Sequence, residues 1–322
     1  MNKESGKRSR EIGGYLELER FSGPMMHEDA LALSSGRACL SYLIEQRDIR
    51  KLLLPDLLCD AVTKVCEERG VAVRRYAIGE DLRPQAVQPE EDEWLYLVNY
   101  YGQLTKEELL SWANRSPRLI VDNAQAYFSA PVKGADTLYT CRKFLGVADG
   151  GFLYTDAPPR ALEADESHGR MGFVLGRFER PAGEFFAEAA ANNDRLPTKA
   201  MKMSALTENL LHAVDYYAVR DRRTWNYRML HEAFQDLNRL SVRRISGAYA
   251  YPLRLAEGEA IRKELIRKKI YVPQLWPNVL QEQPEDSTAC RLTREILPLP
   301  CDHRYGREEM AYIIDAVYDC LN

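Results

Sequence analysis

The first half of the chain alternates short apolar runs with segments whose apolar residues recur at helical spacing. Strands are predicted at 51–55, 71–76, 94–98, 118–121, 136–140 and 151–155, and helices at 38–46, 60–69 and 105–113. Thr105 and Glu108 form a capping box that opens the third of these helices. Strands alternating with helices indicate an α/β fold, in which a mostly parallel mixed sheet is flanked by helices.

The second half follows a different pattern. Residues 157–200 show no clear periodicity, whereas Leu206, Leu210, Val214 and Tyr217 recur at helical spacing and predict one long helix reaching toward Leu240. A smaller unit follows Gly247. Its strands are predicted at 249–255, 271–275 and 296–299, and its helices at 259–269 and 308–321. We therefore expect a large domain of residues 1–245 and a small α+β domain of residues 246–322.

Composition excludes several classes of function. The net charge of −4 gives no reason to expect a nucleic-acid partner, and no apolar run is long enough to span a bilayer. The polar, basic start does not resemble an export signal, so we expect a cytoplasmic protein. The seven cysteines include no CxxC pair, and the five histidines have no metal-ligand spacing. We expect reduced thiols and no metal site.

Polar residues follow the predicted strands at their carboxyl ends, where ligands bind in parallel sheets. Asp122 follows the strand 118–121, Asn99 follows the strand 94–98, and Thr140 ends the strand 136–140. Lys143 comes three residues after Thr140. Each residue also has an ordinary interpretation, such as Asp122 capping a turn or Lys143 lying on the surface.

An amine and a carboxylate near such strand ends, here Lys143 and Asp122, are the two groups that pyridoxal phosphate (PLP) requires from a protein. This cofactor requires a lysine for its Schiff base and an acid for its ring nitrogen. The helix that opens at Gly36 offers free backbone amides to an anion, and Arg37 in its first turn is unfavourable unless an anion binds nearby. An exposed arginine reaching into solvent is the alternative interpretation.

Together these residues resemble the DegT/StrS family of PLP-dependent, fold-type-I sugar aminotransferases, from about Gly14 to the C-terminus. The matching runs are 35–38, 98–102, 121–125, 140–143, 149–151, 271–277, 297–300 and 304–305. The resemblance implies a PLP-transferase type large domain and a homodimer. It also implies that a nucleotide-linked keto sugar becomes an amino sugar for polysaccharide, lipopolysaccharide or glycoconjugate biosynthesis, with glutamate as the amino donor.

Residue by residue, the resemblance implies that Lys143 binds PLP covalently and moves a proton, and that Asp122 pairs with the ring nitrogen. Gln125 would contact the side of the ring hydroxyl. The phosphate would be held by Gly36, Arg37 and Thr140. Independently of the resemblance, Asn99 is expected to line the same crevice because it follows the strand 94–98.

Three departures from the family pattern stand out. Arg37 replaces a small hydroxyl residue. The segment Leu57-Leu58-Cys59 lacks the aromatic that stacks on the cofactor, so Cys59 or an aromatic from elsewhere must cover that face. The family's Asn-Tyr-Arg-Met segment is missing near 198–204, and the same letters at 226–229 come one helix too late, which we interpret as chance.

Two alternatives therefore stay open. A PLP-dependent sugar dehydratase would share the fold, but the dehydrating relatives have histidine in place of the lysine, so Lys143 argues against it. A non-catalytic or regulatory relative would keep the fold and bind a sugar nucleotide without reacting with glutamate.

Overall fold

The computed structural model describes residues 12–321. Its large sheet has seven strands in the order β1-β7-β6-β5-β4-β2-β3. They are β1 (Leu31–Leu33), β2 (Lys51–Pro55), β3 (Ala72–Tyr76), β4 (Trp94–Val98), β5 (Leu119–Asp122), β6 (Asp136–Thr140) and β7 (Gly151–Tyr154). Strands β2 to β6 run parallel, and β7 pairs antiparallel with both β6 and β1. The predicted mostly parallel mixed sheet is confirmed.

The helices of the first half are α1 (Gly36–Gln46), α2 (Asp60–Glu68) and α3 (Lys106–Arg115). The predicted capping box is present, because the Thr105 side chain accepts from the Glu108 backbone and the Glu108 side chain accepts from the Thr105 backbone. Buried side chains of α1 and the strands form the main hydrophobic core. The inner strands β2, β4 and β5 are mostly apolar and buried because helices and loops cover both sides, whereas the edge strand β3 carries Arg74 and Arg75 and is largely exposed.

Residues 157–200, for which the pattern predicted no element, contain α4 (Gly172–Glu179) and α5 (Phe186–Arg195). The predicted long helix is wrong: the structure has α6 (Ala205–Leu211) and α7 (Tyr216–Phe234). Asp215 separates them, since its side chain accepts from the Ala218 backbone and so starts a new helix.

The small unit contains an antiparallel pair, β8 (Ala250–Arg254) and β9 (Ile296–Pro300). Its helices are α8 (Gly258–Arg267), α9 (Val279–Glu282), α10 (Thr288–Glu295) and α11 (Arg307–Leu321). The strand predicted at 271–275 does not form, and this segment is irregular. A second core joins α8, α11 and both strands to the end of α7, from Tyr227 onward.

Candidate active site

A cavity lies at the carboxyl edge of the large sheet, between the start of α1 and the turn after β6. Seven of the residues singled out by the sequence line it: Gly36, Arg37, Cys59, Asp122, Gln125, Thr140 and Lys143. These residues come from four separate parts of the chain. The parallel sheet brings them together because the carboxyl ends of β5 and β6 meet at one edge.

Lys143 lies in a tight turn after β6, in which the Phe144 and Leu145 amides both donate to the Cys141 carbonyl. Its side chain is accessible from the cavity, but protein surrounds the cavity, so the ammonium group is poorly solvated. This desolvation lowers the pKa of Lys143, against the opposing effects of Asp122 and Cys59. A larger fraction of the amine is then neutral and nucleophilic.

Asp122 ends β5 and is 8% exposed. Its Oδ2 accepts a hydrogen bond from the Tyr96 hydroxyl (2.8 Å), and its Oδ1 accepts one from the Ala124 amide (2.7 Å). Burial raises the pKa of Asp122, while Lys143 and the two hydrogen bonds oppose that rise. A cationic group bound beside this carboxylate would favour its ionised form.

Gln125 is buried and presents an unused donor. Its Oε1 accepts from the Tyr101 amide (2.8 Å), and this bond fixes the side chain. Its Nε2 has no acceptor among residues 12–321. Because buried polar groups are rarely left unpaired, this atom indicates a ligand that accepts a hydrogen bond in the cavity.

The start of α1 forms the anion-attracting end of the cavity. Ser35 caps the helix by accepting from the Ala38 amide (3.1 Å), and the first turn contains no acid. Arg37 donates to the backbone carbonyl of Asn193 (2.7 Å), so its cation is held beside the helix start. Thr140 also lines the cavity, and its hydroxyl donates to the Gly150 carbonyl (3.3 Å).

The glycine pair after Asp149 has a structural role. A Cβ atom at Gly151 would lie 2.7 Å from the backbone carbon of Ser35, so only glycine lets β7 approach the start of α1. Asp149 is fully buried and accepts from the Ser204 amide and hydroxyl (2.8 Å each) and from the Thr207 hydroxyl. Neither glycine lines the cavity, so the pair shapes the anion-attracting end by letting β7 pack closely against α1.

Asn99 is the one predicted site residue that does not line the cavity. Its Nδ2 donates to Asn123 Oδ1 and its Oδ1 accepts from the Leu104 amide, both at 3.0 Å. Because both ends of the amide are used to fix the turn after β4, we correct its role to a structural one. Asn226 of the late Asn-Tyr-Arg-Met run is also structural, since its amide donates to the Cys301, Asp302 and Tyr305 carbonyls.

Cys59 caps α2 and is half-buried beside Lys143. Burial raises the pKa of its thiol, although the nearby lysine opposes this. Among residues 12–321, no group of His, Cys, Asp and Glu side chains is arranged to hold a metal ion. No helix in the same range is long and apolar enough to cross a membrane.

The sequence patterns missed Tyr96, Arg142, Asn193 and Trp276, all of which line the cavity. Trp276 comes from the small unit, where it packs against Tyr100 with ring centroids 6.1 Å apart. Asn278, two residues later, donates to the Leu58 carbonyl (3.0 Å) and fixes this segment over the start of α2. Arg142 adjoins Lys143 and Trp276 lies in the matching run 271–277, but the sequence assigned neither of them a role in the site.

Solved structures share this architecture over nearly the whole chain. A putative sugar aminotransferase, Spr1654 from Streptococcus pneumoniae in its PLP-form, superposes with a TM-score of 0.64 at 16% identity, covering 92% of this chain and 91% of its own. A DegT DnrJ EryC1 StrS aminotransferase from Brucella abortus gives 0.59 at 13% identity, covering 90% and 85%. The chain has the fold of the sugar aminotransferases.

A third structure with this fold, DesI in the presence of its TDP-sugar product, gives a TM-score of 0.62 at 16% identity, covering 90% of this chain and 80% of its own. No protein-family model matches the sequence, and no curated protein matches it. At these identities the similarity establishes the fold, while the chemistry depends on the cavity itself.

Proposed function

We propose that this protein is a PLP-dependent aminotransferase that converts a nucleotide-linked keto sugar into an amino sugar, with glutamate as the donor. The observation that carries the proposal is the placement of Lys143 and Asp122 on one cavity, close enough for each to shift the pKa of the other. The shared fold supports it, since Spr1654 is described in a PLP-form and DesI with a TDP-sugar product.

The residues present fit the cofactor. Asp122 offers a buried carboxylate for the ring nitrogen, and Gln125 offers an unpaired donor for the ring hydroxyl. Gly36, Arg37 and Thr140 surround the anion-attracting end, which suits the phosphate. Lys143 provides the amine for covalent attachment.

When bound, PLP supplies an electron sink that stabilises negative charge on the carbon beside the amino group. Lys143 Nζ would take the proton from that carbon and deliver it to the cofactor carbon, and its lowered pKa favours the neutral amine that a base requires. Asp122 favours a protonated ring nitrogen through its negative charge. The Tyr96 hydroxyl and Ala124 amide hold that carboxylate in place.

Trp276 provides the aromatic side chain that covers the face of the cofactor ring, which the segment 57–59 lacks. Its indole lines the cavity together with Leu58 and Cys59, and it is held by Tyr100 and by the Asn278 bond. A large flat aromatic face can stack on a pyridine ring, which a thiol cannot do. We therefore assign the ring-covering role to Trp276 rather than to Cys59.

We further propose a homodimer in the cytoplasm. On α4 and α5, Leu175, Phe178 and Phe186 are 64%, 92% and 76% exposed, and exposed large apolar side chains favour contact with another protein. The seven cysteines are free thiols, as expected in a reducing compartment.

Glutamate titration tests the reaction. Protein loaded with PLP should lose its cofactor absorbance band as glutamate is added and gain that of the pyridoxamine form, because the donor's amino group is transferred to the cofactor. Adding a TDP-linked keto sugar should then restore the first band and release an amino sugar. A PLP band that glutamate leaves unchanged would instead support the non-catalytic alternative.

A further inference from the structure

A second guanidinium group lies at the anion-attracting end of the cavity. Arg142 directly precedes Lys143, and its Nη2 donates to Asn193 Oδ1 at 3.0 Å. Arg37 Nη2 donates to the same oxygen, also at 3.0 Å. Two cations therefore converge on one neutral amide oxygen beside the start of α1.

The protein leaves this positive charge largely uncompensated. Within residues 12–321, neither Arg37 nor Arg142 forms an ion pair, and Arg142 Nε is buried without an acceptor. Burial and the neighbouring Arg37 lower the pKa of Arg142 to about 10, with Asp149 opposing. The Asp149 carboxylate is already bonded to Ser204 and Thr207.

The helix adds to the same field. The first turn of α1 has no acidic residue, and the helix dipole places partial positive charge where the two guanidinium groups lie. Like charges at such a position destabilise the protein unless an anion binds between them. A phosphate monoester carries nearly two negative charges at neutral pH and several acceptor oxygens.

We propose that Arg142 is a phosphate-binding residue that acts together with Arg37 on one phosphate monoester dianion. This inference rests on the proposed function where the phosphate is that of PLP. A guanidinium group offers paired donors in a fixed fork, which suits phosphate better than a lysine ammonium group does. Arg37 stands where the family has a small hydroxyl residue. Arg142 would supply the phosphate contact that the hydroxyl residue would otherwise make.

The test compares PLP with pyridoxal, which has the same ring but no phosphate. Calorimetry measures the Kd of both ligands, and of inorganic phosphate, for the full chain and for Arg142→Met. We expect PLP and inorganic phosphate each to bind roughly tenfold more weakly to the variant, because a charge-assisted pair is lost. The Kd of pyridoxal should stay within about twofold of the wild-type value.

Arg195→Met is the matched control, because it removes one positive charge from the exposed end of α5 outside the cavity. It should leave all three affinities unchanged. Arg142→Lys keeps the charge without the fork and should give intermediate PLP affinity, and it carries the test if the methionine variant fails to fold. Equal weakening of PLP and pyridoxal, or wild-type PLP affinity in both Arg142 variants, would overturn the proposal.

The remaining outcomes separate the two proposals. Inorganic phosphate that binds through Arg142 in a chain that forms no covalent link with PLP would contradict the proposed function and support the phosphate site. A nucleoside diphosphate whose affinity depends on Arg142, while that of PLP does not, would overturn the assignment to the cofactor. Wild-type protein with no affinity for PLP or inorganic phosphate would also overturn it.

Discussion

At the scale of single residues, Lys143, Asp122 and Gln125 line one cavity and carry the proposed chemistry. Lys143, Asp122 and Gln125 could be selected because their types and positions after strands limit what they do. Arg142 and Trp276 could not, since their roles depend on contacts with Asn193 and Tyr100 that are distant in sequence. Local pattern does not determine such long-range contacts.

His27 is another residue whose role only the structure shows. It is 8% exposed, with Tyr127, Tyr139, Phe152 and Tyr154 around it. One ring nitrogen contacts the Tyr154 hydroxyl (3.1 Å) and the other contacts the Tyr127 carbonyl (2.8 Å). Burial lowers the pKa of His27 from 6.5 to about 4, against the opposing carbonyl.

Stability should therefore fall in acid. Below pH 6.5 the unfolded chain gains a proton on His27, whereas the folded chain gains it only near pH 4, so the free energy of unfolding decreases between these values. By linkage the loss is about 3 kcal/mol. Urea unfolding at several pH values measures it. His27→Phe should show a shallower decline, even though His231 and His303 titrate in the same direction; an unchanged decline would contradict this role.

The position of Trp276 in the cavity can be tested by tryptophan fluorescence. PLP bound in the cavity should quench the fluorescence of the tryptophan beside it more than that of the three others in the chain. Trp276→Phe should lose most of the quenching, whereas Trp112→Phe should keep it because Trp112 lies on α3 outside the cavity. Equal quenching in both variants would remove Trp276 from the cofactor site.

At the scale of elements, predictions succeeded where a local signal marks an end. The capping box marked the start of α3, and the helix predicted at 60–69 ends just before Gly70, whose φ of +64° suits a glycine after a helix. The helical spacing of apolar residues continues across residues 206–217, so it gave no indication that one helix ends before Asp215 and another begins after it. Residues 271–275 have the apolar content of a strand, but this segment is held over α2 by Asn278 instead.

Gly151 lies where β7 packs against the start of α1, and this close contact can be tested with a matched pair of variants. Gly151→Ala would press a methyl group against the Ser35 backbone at 2.7–2.9 Å, so the start of α1 must shift. We expect a loss of about 1–3 kcal/mol in unfolding free energy, together with weaker PLP binding. Gly169→Ala has open space and should change neither. Denaturant unfolding and PLP titration measure both, and similar behaviour of the two variants would contradict the close packing.

At the scale of the whole molecule, the alternation of strands and helices predicted the mostly parallel large sheet except its edge strand β1, and the small unit except that its predicted strand 271–275 does not form. It was not enough to show that α4 and α5 supply Asn193 and an exposed apolar surface, because residues 157–200 lack periodicity. The boundary between the two domains at residue 245 remains a proposal. The end of α7 precedes this boundary in the sequence, yet it packs in the core of the small unit.

The proposed function depends most on a covalent bond between PLP and Lys143 in the cavity that Asp122 also lines. Purified protein incubated with PLP, reduced with borohydride and digested should yield one peptide with a pyridoxyl group on Lys143. Lys143→Ala should give no stoichiometric labelling, whereas Lys199→Ala, which changes an exposed lysine, should be labelled as the wild type is. Labelling that is absent, or spread over surface lysines in all three proteins, would contradict the account.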